Sequence, residues 1–227
     1  MPFSTRAWGE VRAEIRTFLQ DEDERTWTDT ELLQYFNWGQ EDFATYVPAR
    51  KAITFPSSET QPFLPDDFYV PHVVEFPDGV LIEEIKLTPG TRLYSGGISE
   101  VSTTSYPVAW FRDDEYIYLL NEPSGDWRLH YYAYYPKAEG DDSLISLPRW
   151  AFQALTMFVA SSAMSRKSVN AAQLDQWDTS LDSGKPTDNP LAQEAKRLMN
   201  SYLSIVYRHL NDIDDSVATW RPAQRRR

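Results

Sequence analysis

Leu147-Pro148-Arg149-Trp150-Ala151-Phe152-Gln153-Ala154-Leu155-Thr156-Met157-Phe158-Val159 opens a run, ending at Ile213, whose periodicity decides the fold class. Pro148 presets φ in a first turn, where its missing N–H costs nothing. Ala151, Leu155, Phe158 and Ser162 then recur three or four residues apart, the spacing of one helix face. Asn170 to Asp182 carries Leu174, Trp177 and Leu181, and Gly184 with Pro186 ends it. Asn189-Pro190 supplies an N-cap and a first-turn proline. Leu191, Ala195, Leu198, Tyr202, Ile205, His209 and Ile213 continue an apolar stripe. The run predicts helices and holds no obvious chemistry.

Upstream, Ala7, Val11, Ile15 and Leu19 form a stripe at four-residue spacing, widened by Trp8 and Phe18. This predicts a helix starting near Ser4 or Thr5 and ending at the acidic run Asp21-Glu22-Asp23-Glu24. Thr28 stands three residues before Glu31, a capping box for a second helix. Its apolar positions are Leu32, Leu33, Phe36, Phe43, Ala44 and Val47, and Pro48 stops it. Two helices so closely joined predict an antiparallel hairpin.

From Pro48 onward prolines multiply and short β-type runs replace helical periodicity. These are Ala52 to Phe55, Phe68 to Phe76, Val80 to Leu87, Thr91 to Tyr94, Val108 to Arg112, Tyr116 to Asn121 and Trp127 to Tyr135. Pro77-Asp78-Gly79, Asp113-Asp114-Glu115 and Pro123-Ser124-Gly125-Asp126 read as turns of an antiparallel meander. The expected fold is therefore α+β: a mostly helical bundle from 1–48 and 147–213, with an antiparallel β-sheet region inserted at 49–146. Residues 214–227 are expected to form an extended C-terminal arm.

Composition narrows the function. With 41% hydrophobic residues the chain can fill a core, and with no cysteine it offers neither disulfides nor thiolate metal sites. Its net charge is −12, and the four arginines after Asp215 leave residues 1–215 at −16. So acidic a body disfavours tight binding to phosphate backbones. No stretch is long and apolar enough to span a membrane, and Met1 to Arg6 does not resemble a signal peptide.

Chemistry-bearing residues are sparse. His72, His130 and His209 lie on two predicted strands and a helix, outside any metal-ligand spacing. Asp66-Asp67, Asp113-Asp114 and Asp141-Asp142 read as solvated turn acids rather than the paired carboxylates of a glycosidase. Ser95-Gly96-Gly97 lacks the lysine and helix of a phosphate-binding loop. No enzyme activity, cofactor or metal is expected. Tyr131, Tyr132, Tyr134 and Tyr135, with Trp110, Phe111 and Trp127, form either a glycan- or base-stacking platform or a sheet core with interface rings; the second reading is favoured. Trp220, Arg221, Arg225, Arg226 and Arg227 combine a bulky anchor with a cationic end, as a docking tail requires, or form a terminus that binds nothing.

Trp27-Thr28-Asp29-Thr30-Glu31-Leu32-Leu33-Gln34-Tyr35-Phe36-Asn37 resembles the second helix of head-to-tail adaptor proteins of tailed bacteriophages, also called connector or head completion proteins. Leu64-Pro65-Asp66-Asp67-Phe68 is similar to an element that follows it in several of them, and the C-terminal helices with Asp175-Gln176-Trp177 fit the same plan. The resemblance implies a non-enzymatic virion protein of the phage neck, assembled in the host cytoplasm. It implies a homo-oligomeric ring, commonly of twelve copies, bound to the portal protein and to a downstream neck or tail protein. Packaged DNA would pass through the ring without specific binding. It also implies that Trp220, Arg221 and Arg225 to Arg227 dock on the portal, with Tyr202 and Tyr207 at the base of the arm.

Overall fold

The computed structural model describes residues 3–59, 61–76, 80–84, 109–113, 115–120, 125–178 and 190–217. These divide into two compact units, one formed by 1–47 with 135–227, the other by 48–134.

The first unit begins with strand β1 (Phe3–Ala7) and helices α1 (Trp8–Leu19) and α2 (Asp29–Tyr46). It is completed, after the second unit, by β8 (Leu144–Pro148), α3 (Ala151–Asp178) and α4 (Pro190–Val217). The capping box of α2 is present: Thr28 Oγ1 accepts from the Glu31 N–H at 3.2 Å, and Glu31 Oε2 accepts from the Thr28 N–H at 3.0 Å. The amphipathic faces of the helices meet, with α3 packed on α1, α2 and α4. Trp8 and Phe36 lie 4.9 Å apart between ring centres, Phe43 and Trp150 5.4 Å, and Phe158 and Tyr202 5.3 Å. Ile15, Leu32, Leu155, Val159 and Val206 fill the space around them.

The second unit holds β2 (Ala49–Phe55), β3 (Phe68–Glu75), β4 (Leu81–Glu84), β5 (Ala109–Asp113), β6 (Tyr116–Leu120) and β7 (Trp127–Ala133). They form one sheet in the order β2-β7-β3-β4-β5-β6. All pairs are antiparallel except β4–β5. On β7 side chains alternate between buried and half-buried, as a strand with one core face must. Trp127, Leu129, Tyr131 and Ala133 point inward to Phe55, Leu64, Val74, Phe76, Ile82, Trp110 and Ile117.

This architecture corrects the expectation of a mostly helical bundle. Among the described residues 46% are helical and 29% lie in strands, so sheet shares the framework. Part of the reason lies at the edges of the predicted helices. Residues 3–7 and 144–148 pair with each other, Phe3 opposite Pro148 and Ala7 opposite Leu144. Ile145 and Leu147 point inward while Leu144 and Ser146 face solvent, a period of two rather than 3.6. Pro148 therefore ends a strand, and α1 starts at Trp8. Neither Ser4 nor Thr5 caps α1: the Trp8 and Gly9 N–H groups donate to the carbonyls of Ser143 and Asp141 at 2.9 and 3.1 Å. α3 is continuous to Asp178 and takes in the segment that starts at Asn170.

The simple meander is also corrected. β3 and β4 do form the hairpin expected around 77–79, and β5 pairs with β6. β7, however, does not pair with β6; it inserts between β2 and β3. Its strict alternation of Trp127, Leu129 and Tyr131 gives it the apolar face a central strand buries. The expected strand Thr91 to Tyr94, Ser95-Gly96-Gly97, and Leu181 to Asn189 lie outside the described residues.

Candidate functional site

Trp220, Arg221, Arg225, Arg226 and Arg227 lie outside the described residues. The helix leading toward them is well anchored. The Tyr202 hydroxyl donates to Asp42 Oδ2 at 2.6 Å, and burial together with that carboxylate pushes the phenol pKa far up. One turn later Tyr207 is exposed and meets Tyr46 edge-on at 5.8 Å, while His209 stacks on Trp150 at 4.3 Å. His209 thus serves packing.

A polar cluster ties the α1–α2 connection. Arg16 is buried and donates from Nη1 to the Asp21 carboxylate at 3.1 Å, and from Nη2 to the Trp27 carbonyl at 3.2 Å and to Asp29. Asp21, equally buried, accepts from the backbone N–H groups of Arg25, Thr26 and Trp27 at 3.0–3.1 Å. Burial works to raise the Asp21 pKa, but these three donors outweigh it and hold the carboxyl below its usual range. Arg12, one turn before Arg16, bridges Asp29 at 2.7 Å and Asp141 at 2.8 Å. The pair Asp141-Asp142 is therefore divided, with Asp141 structural. In sequence the acids at 21–24 mark only the end of the first helix, and nothing in the run itself shows that Asp21 folds inward. The available signal was Arg16, a cation immediately beside the buried stripe position Ile15.

On the sheet, Tyr131 is core: its ring stacks on Phe68 at 5.6 Å and its hydroxyl donates to Asp67 at 3.2 Å. Burial, with the neighbouring carboxylate, pushes its pKa up to about 12. Trp110, Phe111 and Trp127 are buried too. In the first unit the buried Tyr135 hydroxyl donates to the Val47 carbonyl at 2.8 Å, at the end of α2. Asp67 also pairs with Lys51, whereas Asp66 is exposed, so these adjacent acids do not act as a pair.

The outer face of β2, β7 and β3 gathers a different set. Arg50 stands opposite Tyr132, with its guanidinium 5.9 Å from the ring centre. β3 shifts register twice, between Phe68 and Val70 and between Pro71 and Val73. The residues at those shifts are Tyr69, whose ring meets Tyr134 at 4.9 Å, and His72, whose ring meets Tyr132 at 5.0 Å. Register shifts of this kind re-aim side chains. His130 Nε2 lies 2.7 Å from Glu75 Oε2, which also attracts Arg128 at 3.9 Å. Desolvation, then the charges of Arg50 and His130, lower the His72 pKa. Alternation along β7 was legible in sequence; that Arg50 and His72 join it was not, because the pairing is non-sequential.

Among the described residues no group of three or more side chains is arranged to hold a metal, and no helix is long and apolar enough to cross a membrane. What the molecule offers is surface: a mixed sheet face, a pinned acidic loop, and a long helix leading to a basic end. The sequence profile of the SU10 adaptor protein family matches residues 6–221, nearly the whole chain. No curated protein matches it significantly. The chain belongs to this family of phage head-to-tail adaptors, which are structural components of the virion that associate with portal and tail proteins.

Proposed function

We propose that the protein forms a ring of about twelve copies below the portal, extending the DNA channel and linking the capsid to the neck or tail. The observation that carries this reading is the family match over residues 6–221. The charge of −12 supports it, since carboxylates lining a channel repel DNA and let it slide without specific binding. Assembly takes place in the host cytoplasm, and a downstream neck or tail protein docks on the side away from the portal. Trp220, Arg221, Arg225, Arg226 and Arg227 act as the portal-docking arm, with residues 1–48 and 147–213 as the body from which it extends.

Mass analysis of the neck released from purified virions tests the assignment: the chain is expected at ring stoichiometry, and its absence from virions overturns the proposal. A glycan-binding reading retains only the half-buried Tyr132 and Tyr134, because Tyr131 and Tyr135 lie in cores. A glycan array without a hit removes it.

A further inference from the structure

A closed ring of identical copies built head to tail joins two different surfaces of the same chain, so each copy must carry both halves of the contact. The outer sheet face is one candidate half. Arg50 is exposed and presented over Tyr132, beside His72, His130 and Arg128, with Glu75 as the facing acid among the described residues. It is a cationic, aromatic patch on a chain of net charge −12. Arginine and tyrosine are the residues that interface centres favour.

The other half is the α1–α2 loop. Asp21 binds three successive backbone N–H groups, and Glu24 holds a left-handed φ of 58°, so the loop backbone is fixed before any partner arrives. Glu22 and Asp23 are exposed beside a cleft of about 510 Å³ lined by Thr17, Gln20, Asp21, Arg25 and Thr26. Arg25 and Asp23 pair at 3.1 Å on the open surface, a contact that water screens. The cleft is acidic overall and has room for a guanidinium.

We infer that Arg50 of one copy seats in the Glu22–Asp23 cleft of the adjacent copy, making the sheet face and the α1–α2 loop the two halves of the subunit contact. This rests on the ring reading above. A second copy is favoured over DNA as occupant, because the acidic chain repels a phosphate backbone while its own fixed acidic loop complements the patch.

Charge exchange tests it. Particles are grown with Arg50→Glu, with Glu22→Lys plus Asp23→Lys, or with all three, and adaptor content per purified particle is measured. Arg50→Glu alone and the loop pair alone are each expected to lower incorporation about tenfold, and the triple variant to recover to within about twofold of the parent. All sites are exposed, so thermal midpoints are expected to stay unchanged. Arg50→Gln, which removes charge without reversing it, is expected to fall between parent and Arg50→Glu. Arg50→Cys combined with Glu22→Cys gives a second readout, since the chain has no cysteine of its own: a ladder of disulfide-linked multimers is expected in particles. Normal incorporation of the single-side variants, or a triple variant no better than either, overturns the contact while multimers of the parent keep the ring reading intact. Absence of multimers from parent particles treated with an amine-reactive cross-linker overturns the ring itself. If Arg50→Glu keeps its multimers but loses retention of linear duplex DNA, the face is a DNA contact and the inference falls.

Discussion

Asn37 and Ala138 exchange two hydrogen bonds: the Asn37 side-chain amide donates to the Ala138 carbonyl at 2.9 Å, and its carbonyl accepts from the Ala138 N–H at 2.9 Å. The amide imitates a strand neighbour and clips the segment before β8 to α2. Replacing Asn37 by Ala strands both backbone groups of the buried Ala138. Removing such partners costs about 2–3 kcal/mol. Urea denaturation at neutral pH is expected to show that loss, and Asn37→Asp, which keeps the acceptor but sets a carboxylate oxygen against the Ala138 carbonyl, a loss of similar size. Unchanged midpoints for both variants refute the clip.

Acid should weaken the α1–α2 connection through Asp21. Its carboxyl titrates below its ordinary range in the folded chain, because the backbone donors outweigh burial. The unfolded chain therefore takes up the proton first as pH falls. The stabilisation is fully present above the unfolded value of about 4, and it drains away as pH drops through the lower folded value. Glu31 adds in the same direction, its pKa lowered chiefly by the Thr28 backbone hydrogen bond. Asp21→Asn is expected to be less stable at pH 7 and to show a shallower acid limb in urea midpoints between pH 7 and 3. Parallel limbs for parent and variant refute the assignment.

At Gly39 α2 lies against α3 with no room for a side chain. A Cβ built there would lie 2.8 Å from Phe158 Cδ1 and 3.1 Å from Leu155 Cδ2. Phe158 is itself edge-on to the buried Tyr202, so its ring has little room to retreat. Gly39→Val is expected to destabilise by about 3 kcal/mol, overpacking outweighing any gain in helix propensity. Calorimetry measures it, and a thermal midpoint equal to the parent's would show that the helices can part without cost.

How far the fold can be read before seeing it depends on the range of the interactions involved. The Thr28–Glu31 box, the α4 stripe of Ala195, Leu198 and Tyr202, and the alternation of β7 are local patterns, and each appears where the residues place it. The pairing of Phe3–Ala7 with Leu144–Pro148 joins segments about 140 residues apart. Nothing within either segment announces it, and a proline or serine at its edge imitates a helix start. Placing β7 between β2 and β3 likewise depends on partners remote in sequence. The candidate surfaces follow the same division. The sequence favours a sheet core for part of the tyrosine series without saying which rings turn inward, and the neighbours of Arg50 emerge only once the register is known.

The C-terminal arm gives the last prediction. α4 runs to Val217, four residues past Ile213, and Tyr202 fixes it to Asp42 on α2 well before that end. Among the described side chains of α4, the buried ones are Ala195, Leu198, Tyr202 and Val206. Truncation after Ile213 therefore removes no described core side chain. It should cost no more than about 0.5 kcal/mol, the range of surface changes. If Trp220 and the terminal arginines hold the portal, the truncated protein should unfold at the parent's midpoint yet fail to join capsids in a sedimentation assay. Trp220→Ala in the full chain should reproduce most of that defect, because buried aromatic anchors carry a large share of interface energy. Neutralising Arg225, Arg226 and Arg227 together should instead weaken attachment chiefly at low salt, as expected of rim charges screened by ions. Normal capsid attachment by the truncated chain refutes the docking role, and joint loss of folding and attachment would instead make the tail part of the helical unit.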